Sequence, residues 1–388
     1  MIDENKNRIE CLDSLRGLAA LTVVFSHFNN DYLGLSQHAK QINYSPLHLF
    51  YDGEAAVAFF FVLSGFVLSW KYISGEGRPA KKLLLGPYLI GRFFRIYPLF
   101  WAVLILSAVA AATFNIRLHT IPDKDWSIWW WNDSFDLKLF LKQSALLFQN
   151  SIAGRLYIPQ SWSLAVEIIL SALVPFFILM VIRNTLWLIL FIIIMLGIFD
   201  MYIFIIHFSL GILLVKYFDS IQHFMHNKSA RFKLLLILAG LFFYSYRYSV
   251  AAFFPTLSIL QWILFSEISV NTIIGLGVIM ILVGVLNSNR VKKILMIPVL
   301  KLLGKTSYGL YLSHMIVMIV FTPHLLSWLN SLGFYAKYPL LLIALSSTVI
   351  VAVFLAWILR HLVELRGIQF GRKVSSAYQT LFFKKSNS

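Results

Sequence analysis

The sequence predicts an all-α fold: a polytopic transmembrane helical bundle of about ten membrane-spanning helices, with both termini cytoplasmic. Composition is the first reason. The 388 residues are 59% hydrophobic, 16% aromatic and only 13% charged, where an ordinary globular chain has roughly 25% charged residues. Run length is the second. Several apolar stretches reach the about 20 residues that a helix needs to cross about 30 Å of hydrocarbon. The third is where the charge sits. A net charge of +16 in a soluble chain would suggest a nucleic-acid partner; here the positions of Lys and Arg report orientation first, and no nucleic acid is expected.

Helices are expected at 12–28, 55–72, 94–113, 161–182, 185–199, 201–217, 233–250, 270–287, 306–322 and 339–359. The first and fifth are short for a span, and Asp200 falls in a tight turn between the fifth and sixth. The stretch 251–268 is apolar enough for a re-entrant piece or an eleventh helix. An even number of spans puts both termini on one side. With that side in the cytoplasm, 25 of the 33 Lys and Arg fall on inner segments and eight on outer ones. The longest loop, 114–160, lies outside and sets Asp123, Asp125, Asp133 and Asp136 against five basic residues. Reversing the topology would invert this bias. The charge therefore favours contact with anionic lipid, and part of it suits an anionic cytosolic ligand. No cleavable signal peptide is expected, and the single Cys11 allows no internal disulfide. The organisation expected is a membrane domain over 1–365 and a loose, basic cytoplasmic tail over 366–388.

Ionisable groups inside a span are costly and mark either a wet interior or an interhelical bond. Arg16 and His27 lie eleven residues apart on the first helix. At about 100° per residue they share a face, about 16 Å apart along the axis. A snorkelling arginine with an interhelical histidine, or a functional pair, both suit this spacing. On the second helix Ser64-Gly65 lets a backbone or a ligand approach; no His-Asp partnering makes Ser64 a nucleophile. Arg92 and Arg95, three apart at the entry to the third helix, suit bidentate phosphate recognition or a positive-inside anchor. The fourth helix starts Gln160-Ser161-Trp162-Ser163 and carries Glu167. With no charge one turn away, Glu167 needs a partner from another helix: His27, whose depth is comparable, or Arg155 or Arg247. The ninth helix brings a polar seam of Thr306, Ser307, Tyr308, Tyr311, Ser313 and His314, suited to hydrogen bonding between helices. Metal chemistry finds no motif: there is no His-Glu-x-x-His and no Cys cluster, and His223 and His226 sit in a basic loop. Gly275 and Gly277 read as packing positions.

Taken in order, these segments resemble the acyltransferase-3 family of bacterial integral-membrane O-acyltransferases, from about Leu12 to Glu364. The resemblance rests on Arg16 and His27 at Arg-x10-His spacing, on Phe59 to Phe66, and on Arg92 to Pro98. It rests further on Trp162-Ser163-Leu164 with Glu167, and on Ser307 to His314. Glu364 and Arg366 are similar to the family's end, where Gly367 replaces the usual proline. Some members carry a following esterase domain, for which this chain is expected to be too short.

The resemblance implies transfer of an acyl group, most often acetyl, from cytosolic acyl-CoA to a hydroxyl of a cell-surface or lipid-linked polysaccharide such as O-antigen, capsule or exopolysaccharide. It implies a multi-pass protein of the bacterial inner membrane, with acetyl-CoA or another acyl-CoA as donor and no permanently bound cofactor or metal. Arg16, Arg92 and Arg95 would hold the donor's phosphates. His27 would act as general base or first accept the acyl group, with Glu167 orienting the imidazole. Ser64, Trp162, Tyr308, Tyr311 and His314 would contact substrate or stabilise an oxyanion. Trp126, Trp129, Trp130 and Trp131 suit either sugar stacking or an interfacial aromatic belt. A transporter without chemistry, an inert membrane scaffold, and an acyltransferase of another class are the competing readings.

Overall fold

The computed structural model describes residues 2–33, 44–113, 134–146, 156–198, 203–253 and 265–383. Among these residues the chain is all helical, with no strand. The helices are α1 (Ile2–Phe28), α2 (Gly53–Ser69), α3 (Leu85–Thr113), α4 (Leu137–Ser144), α5 (Ser161–Arg183) and α6 (Thr185–Ile198). Then come α7 (Ile205–Lys216), α8 (Phe218–His226), α9 (Ala230–Tyr244), α10 (Tyr246–Phe253), α11 (Glu267–Leu286) and α12 (Asn289–Leu295). The last four are α13 (Pro298–Ile316), α14 (Thr322–Ser331), α15 (Lys337–Leu359) and α16 (Leu365–Phe383). Caps fix several of these starts. Asp52 accepts from the Ala55 N–H ahead of α2, Ser229 from Phe232 ahead of α9, and Ser266 from Ser269 ahead of α11.

Each of the ten expected segments is helical over most of its described residues. Five helices are long and apolar enough to cross a membrane: α3, α5, α11, the run Pro298–Ser331 and the run Lys337–Phe382. A sixth arises if α7 and α8, bent by 65°, count as one span. Of the remaining segments, the first lies in α1, which has 27 residues but is not among these apolar helices; α2 has 17 residues and α6 has 14, and the seventh expected helix divides into α9 and α10. Exposed Leu342, Ile350 and Phe354 on α15, like Leu186, Trp187 and Ile193 on α6, suit hydrocarbon rather than water. Asp200 and most of 251–268 lie outside the described residues, as do Arg155 and the tryptophan-rich segment 126–131.

The chain divides into two compact units, and α1, α5 and α13 each contribute one end to each unit. The first unit comprises Met1–Thr22, Gln37–Leu83 and Val166–Lys305. Glycines bring its helices together. A Cβ on Gly65 would sit 2.1 Å from the Phe208 carbonyl oxygen, and one on Gly211 would sit 2.0 Å from that of Val62. These two positions lock α2 against α7 by direct backbone approach. Gly240 and Gly277 do the same for α9 and α11, so the packing role expected of Gly277 is met.

The second unit comprises Val23–Ser36, Leu84–Ala165 and Thr306–Ser388. Phe28, Met315, Met318 and Ala344 form one buried cluster within it. Its C-terminal part corrects the expectation of a loose tail. A π-helical turn over Arg360–Glu364 carries α15 into α16, giving a rod of 46 residues, about 69 Å at helical rise. Gly367 and Gly371 are the reason α16 is held. Cβ atoms there would press on Pro98 and Phe94 at 3.0 and 2.4 Å, so the missing side chains let α16 lie directly on α3.

Candidate active site

In the second unit two histidines distant in sequence meet. His27 closes the last turn of α1 and His314 closes α13. Their rings stack, with centroids 5.0 Å apart and planes inclined by 22°. His27 Nδ1 lies 2.8 Å from His314 Nε2, and His314 Nδ1 lies 3.0 Å from the Leu310 carbonyl. A carbonyl only accepts, so His314 Nδ1 carries a hydrogen. Neutral His314 then accepts at Nε2, and His27 Nδ1 must donate. In the neutral state this leaves the lone pair of His27 on Nε2, the nitrogen a general base uses. His314 is fully buried, so its orientation is set by packing as well as by the Leu310 bond.

The α13 backbone that carries His314 is anchored from α5. Gln160 Nε2 donates to the Tyr311 and Leu312 carbonyls at 3.1 and 2.9 Å, and the Ser163 and Tyr311 hydroxyls meet at 2.6 Å. Trp162, between them in sequence, is half-buried. Tyr308 Oη donates to the Ile96 carbonyl at 2.8 Å. Its ring lies 5.5 Å from the Arg95 guanidinium. Arg95 is ion-paired with Glu364, which Arg360 also approaches at 3.7 Å. The sequence singled out Arg95 as a phosphate ligand; its partner within the unit is this buried carboxylate. Arg92 is half-buried on the same turn of α3.

The first unit holds the other sequence candidates. Ser64 Oγ donates to Glu167 Oε1 at 3.4 Å, joining α2 to α5. Arg247, the alternative partner for Glu167, pairs instead with Glu54 at 2.9 Å. Arg16 pairs with Asp13 one turn away at 2.9 Å. Gly17 lies against the backbone of Leu303 and Gly304 on α13, where a Cβ would come within 2.5 Å. His223 and His226 are exposed, and no group of three metal-ligating side chains occurs among the described residues.

Sequence reasoning missed the His27–His314 bond, the anchoring by Gln160 and Ser163, and the Asp13 and Glu364 partners of two arginines. Glu364 gave some signal, as a carboxylate beside Arg360 and Arg366 in a basic stretch.

The Acyl_transf_3 family, described as an acyltransferase domain, matches residues 9–361. This chain belongs to that family. The acyltransferase-3 chain is also 32% identical over 160 residues to Acyltransferase MdmB of Streptomyces mycarofaciens. That match covers 41% of this chain and 36% of MdmB, little more than a third of the relative's length. No solved structure matches. The family model thus covers a chain whose described residues include five helices long and apolar enough to cross a membrane.

Proposed function

We propose that this acyltransferase moves an acyl group, most simply acetyl, from cytosolic acyl-CoA to a hydroxyl of a cell-surface or lipid-linked polysaccharide. His27 Nε2 takes the proton of the acceptor hydroxyl as its oxygen attacks the thioester carbonyl. The C–O bond forms, the C–S bond breaks, and the CoA thiolate leaves and is protonated. As His27 becomes an imidazolium, its Nδ1–H stays bonded to His314 Nε2, so the charge develops against an acceptor already in place. His314 is thus a positioning residue, and Gln160 and Ser163 hold its helix. The single observation that supports this most is the 2.8 Å bond between the imidazoles, with His314 oriented by Leu310.

Glu167 serves as the second acid–base group, Arg16 and Arg92 as sites for the donor's phosphates, and Arg95 acts with its Glu364 partner at the same task. Orientation follows the basic-residue bias: ten helices in the bacterial inner membrane, with both termini cytoplasmic. The test is reconstituted protein with labelled acetyl-CoA and membrane-derived glycan. The expected result is release of CoA together with a gain of one acetyl mass per glycan repeat. Thioester left intact while label or glycan crosses the bilayer would instead identify a carrier.

A further inference from the structure

Both helices that carry the imidazole pair change their winding directly beyond the histidine. A π turn, Asn29–Leu33, follows His27 at the end of α1, and another, Val317–Phe321, follows His314 at the end of α13. Single π turns are rare and interrupt the regular helical ladder. Two of them beside one imidazole pair call for a cause.

On α13 the sequence supplies it. In a π turn a backbone N–H bonds five residues back, and the Thr322 N–H goes accordingly to the Val317 carbonyl. The next donor in that ladder, for the Met318 carbonyl, would be residue 323. That residue is proline and has no N–H. The Met318 carbonyl is therefore left for a donor from outside its helix, and the Tyr32 hydroxyl donates to it at 2.9 Å. Met318 is fully buried, where an unpaired carbonyl would be costly.

On α1 the cause is direction. At about 100° per residue, His27 and Tyr32 would point about 140° apart on an α-helix. Both in fact face α13, His27 on His314 and Tyr32 on Met318. The extra residue taken up by the π turn closes that gap. The Tyr32 ring packs on Phe28, with centroids 4.7 Å apart, and on the buried cluster that holds Met315 and Met318. Its hydroxyl is thus delivered by a ring that packing already holds.

We propose that Tyr32 is a further positioning residue for acyl transfer, its hydroxyl clamping the end of α1 to α13 so that His27 Nδ1 stays on His314 Nε2. This rests on the reading of His27 as the general base. The imidazole bond is a single contact between two helix ends, and helix ends fray. A second bond just beyond it opposes the sliding and rotation that would let the His27 proton move to Nε2, where the lone pair is needed.

The test is Tyr32→Phe in the full chain, which keeps the ring and its Phe28 contact and deletes one oxygen atom. Nitrogen-15 NMR of histidine-labelled protein reads the His27 tautomer, and the acyl-transfer assay reads kcat and KM. The ratio of Nδ1-protonated to Nε2-protonated His27 should fall roughly fivefold, the loss of one hydrogen bond. The kcat should fall about two- to fivefold with KM for acetyl-CoA unchanged, since the base is less well placed but the donor is held as before. Pro323→Ala returns an N–H that competes for the Met318 carbonyl while Tyr32 stays intact, and should shift the tautomer ratio in the same direction. Tyr335→Phe, which removes an exposed hydroxyl of the same unit, should change neither readout. A wild-type tautomer ratio in Tyr32→Phe overturns the proposal whatever the rate does, and so does a loss of rate carried by KM alone. The tautomer is read without donor or acceptor, so its outcome stands apart from that of the acyl-transfer reading, which His27→Ala tests.

Discussion

His314 and His48 are both buried histidines, one in each unit, and they are treated in opposite ways. Both nitrogens of His314 have partners, a carbonyl on one side and His27 on the other. His48 has a ring packed between tyrosines, a carboxylate at 3.8 Å and a nitrogen with no partner. Glu364 stands between these cases: Arg95 and Arg360 share its Oε1, while Oε2 has no protein partner. Complete pairing fixes a tautomer and an orientation, which a proton-transfer step needs. Incomplete pairing leaves hydrogen-bonding capacity unused. Burial alone does not separate the two; the count of satisfied atoms does.

The largest effect expected on the paired side is from His27→Ala. Acyl transfer should fall about 1,000-fold or more, within the range for loss of a general base, at unchanged protein level in the membrane. Measured CoA release within tenfold of wild type would remove His27 from the chemistry. Next is Glu364→Ala. Breaking a buried ion pair costs about 3–5 kcal/mol, but Arg95 is 33% exposed and Arg360 22%, so solvent screening reduces the expected loss to about 2 kcal/mol. Thermal unfolding in detergent reads this as a lowered midpoint; an unchanged midpoint would show that the pair does not hold α16 to α3. His314→Phe keeps the stack and removes the acceptor. It should lower kcat by about 10- to 100-fold with little change in KM, and His314→Gln, whose amide oxygen can accept from His27 Nδ1, should recover part of that loss. Equal kcat in both variants would mean that His314 only fills space.

The smallest expected effect concerns the unpaired side and is read in pH. Burial raises the Asp52 acid from 3.8 to about 7, so its stabilising contribution is complete below pH 3.8 and disappears as pH rises through about 7. Burial lowers His48 from 6.5 to about 4, so its contribution is complete above pH 6.5 and disappears as pH falls through about 4. Between these limits the two slopes oppose each other. Asp52→Asn retains the α2 cap and should leave stability that rises with pH from about 4 to 6.5, the His48 contribution alone. His48→Phe should leave stability that falls toward pH 7, the Asp52 contribution alone. The same midpoint-against-pH curve for both variants would contradict the assignment.

The helices were legible because a span must be apolar over its whole length, and that pattern is local. Arg16 and His27 stood out for the same reason: charge in an apolar run is visible without knowledge of the fold. The partners were not legible. His27 and His314 are 287 residues apart, and nothing in either segment selects one imidazole over Glu167 as the other's neighbour. Depth within a span, the only coordinate the sequence supplies, suggested Glu167, whose hydroxyl partner within its unit is Ser64. The C-terminal helix failed to read for a different reason. Gly367 and Gly371 look like breaks in a basic tail, yet they are the two positions where α3 comes closest. A glycine required by packing and a glycine in a loose segment are the same letter.

Nitrogen-15 NMR of protein labelled only at histidine, with His27→Ala and His314→Ala spectra to assign the signals, examines the imidazole pair most directly. The geometry predicts a neutral His27 with a protonated, pyrrole-type Nδ1 and a pyridine-type Nε2, and loss of that preference in His314→Ala. A His27 whose proton resides on Nε2 in the wild-type protein would place the lone pair on the wrong nitrogen and contradict the mechanism.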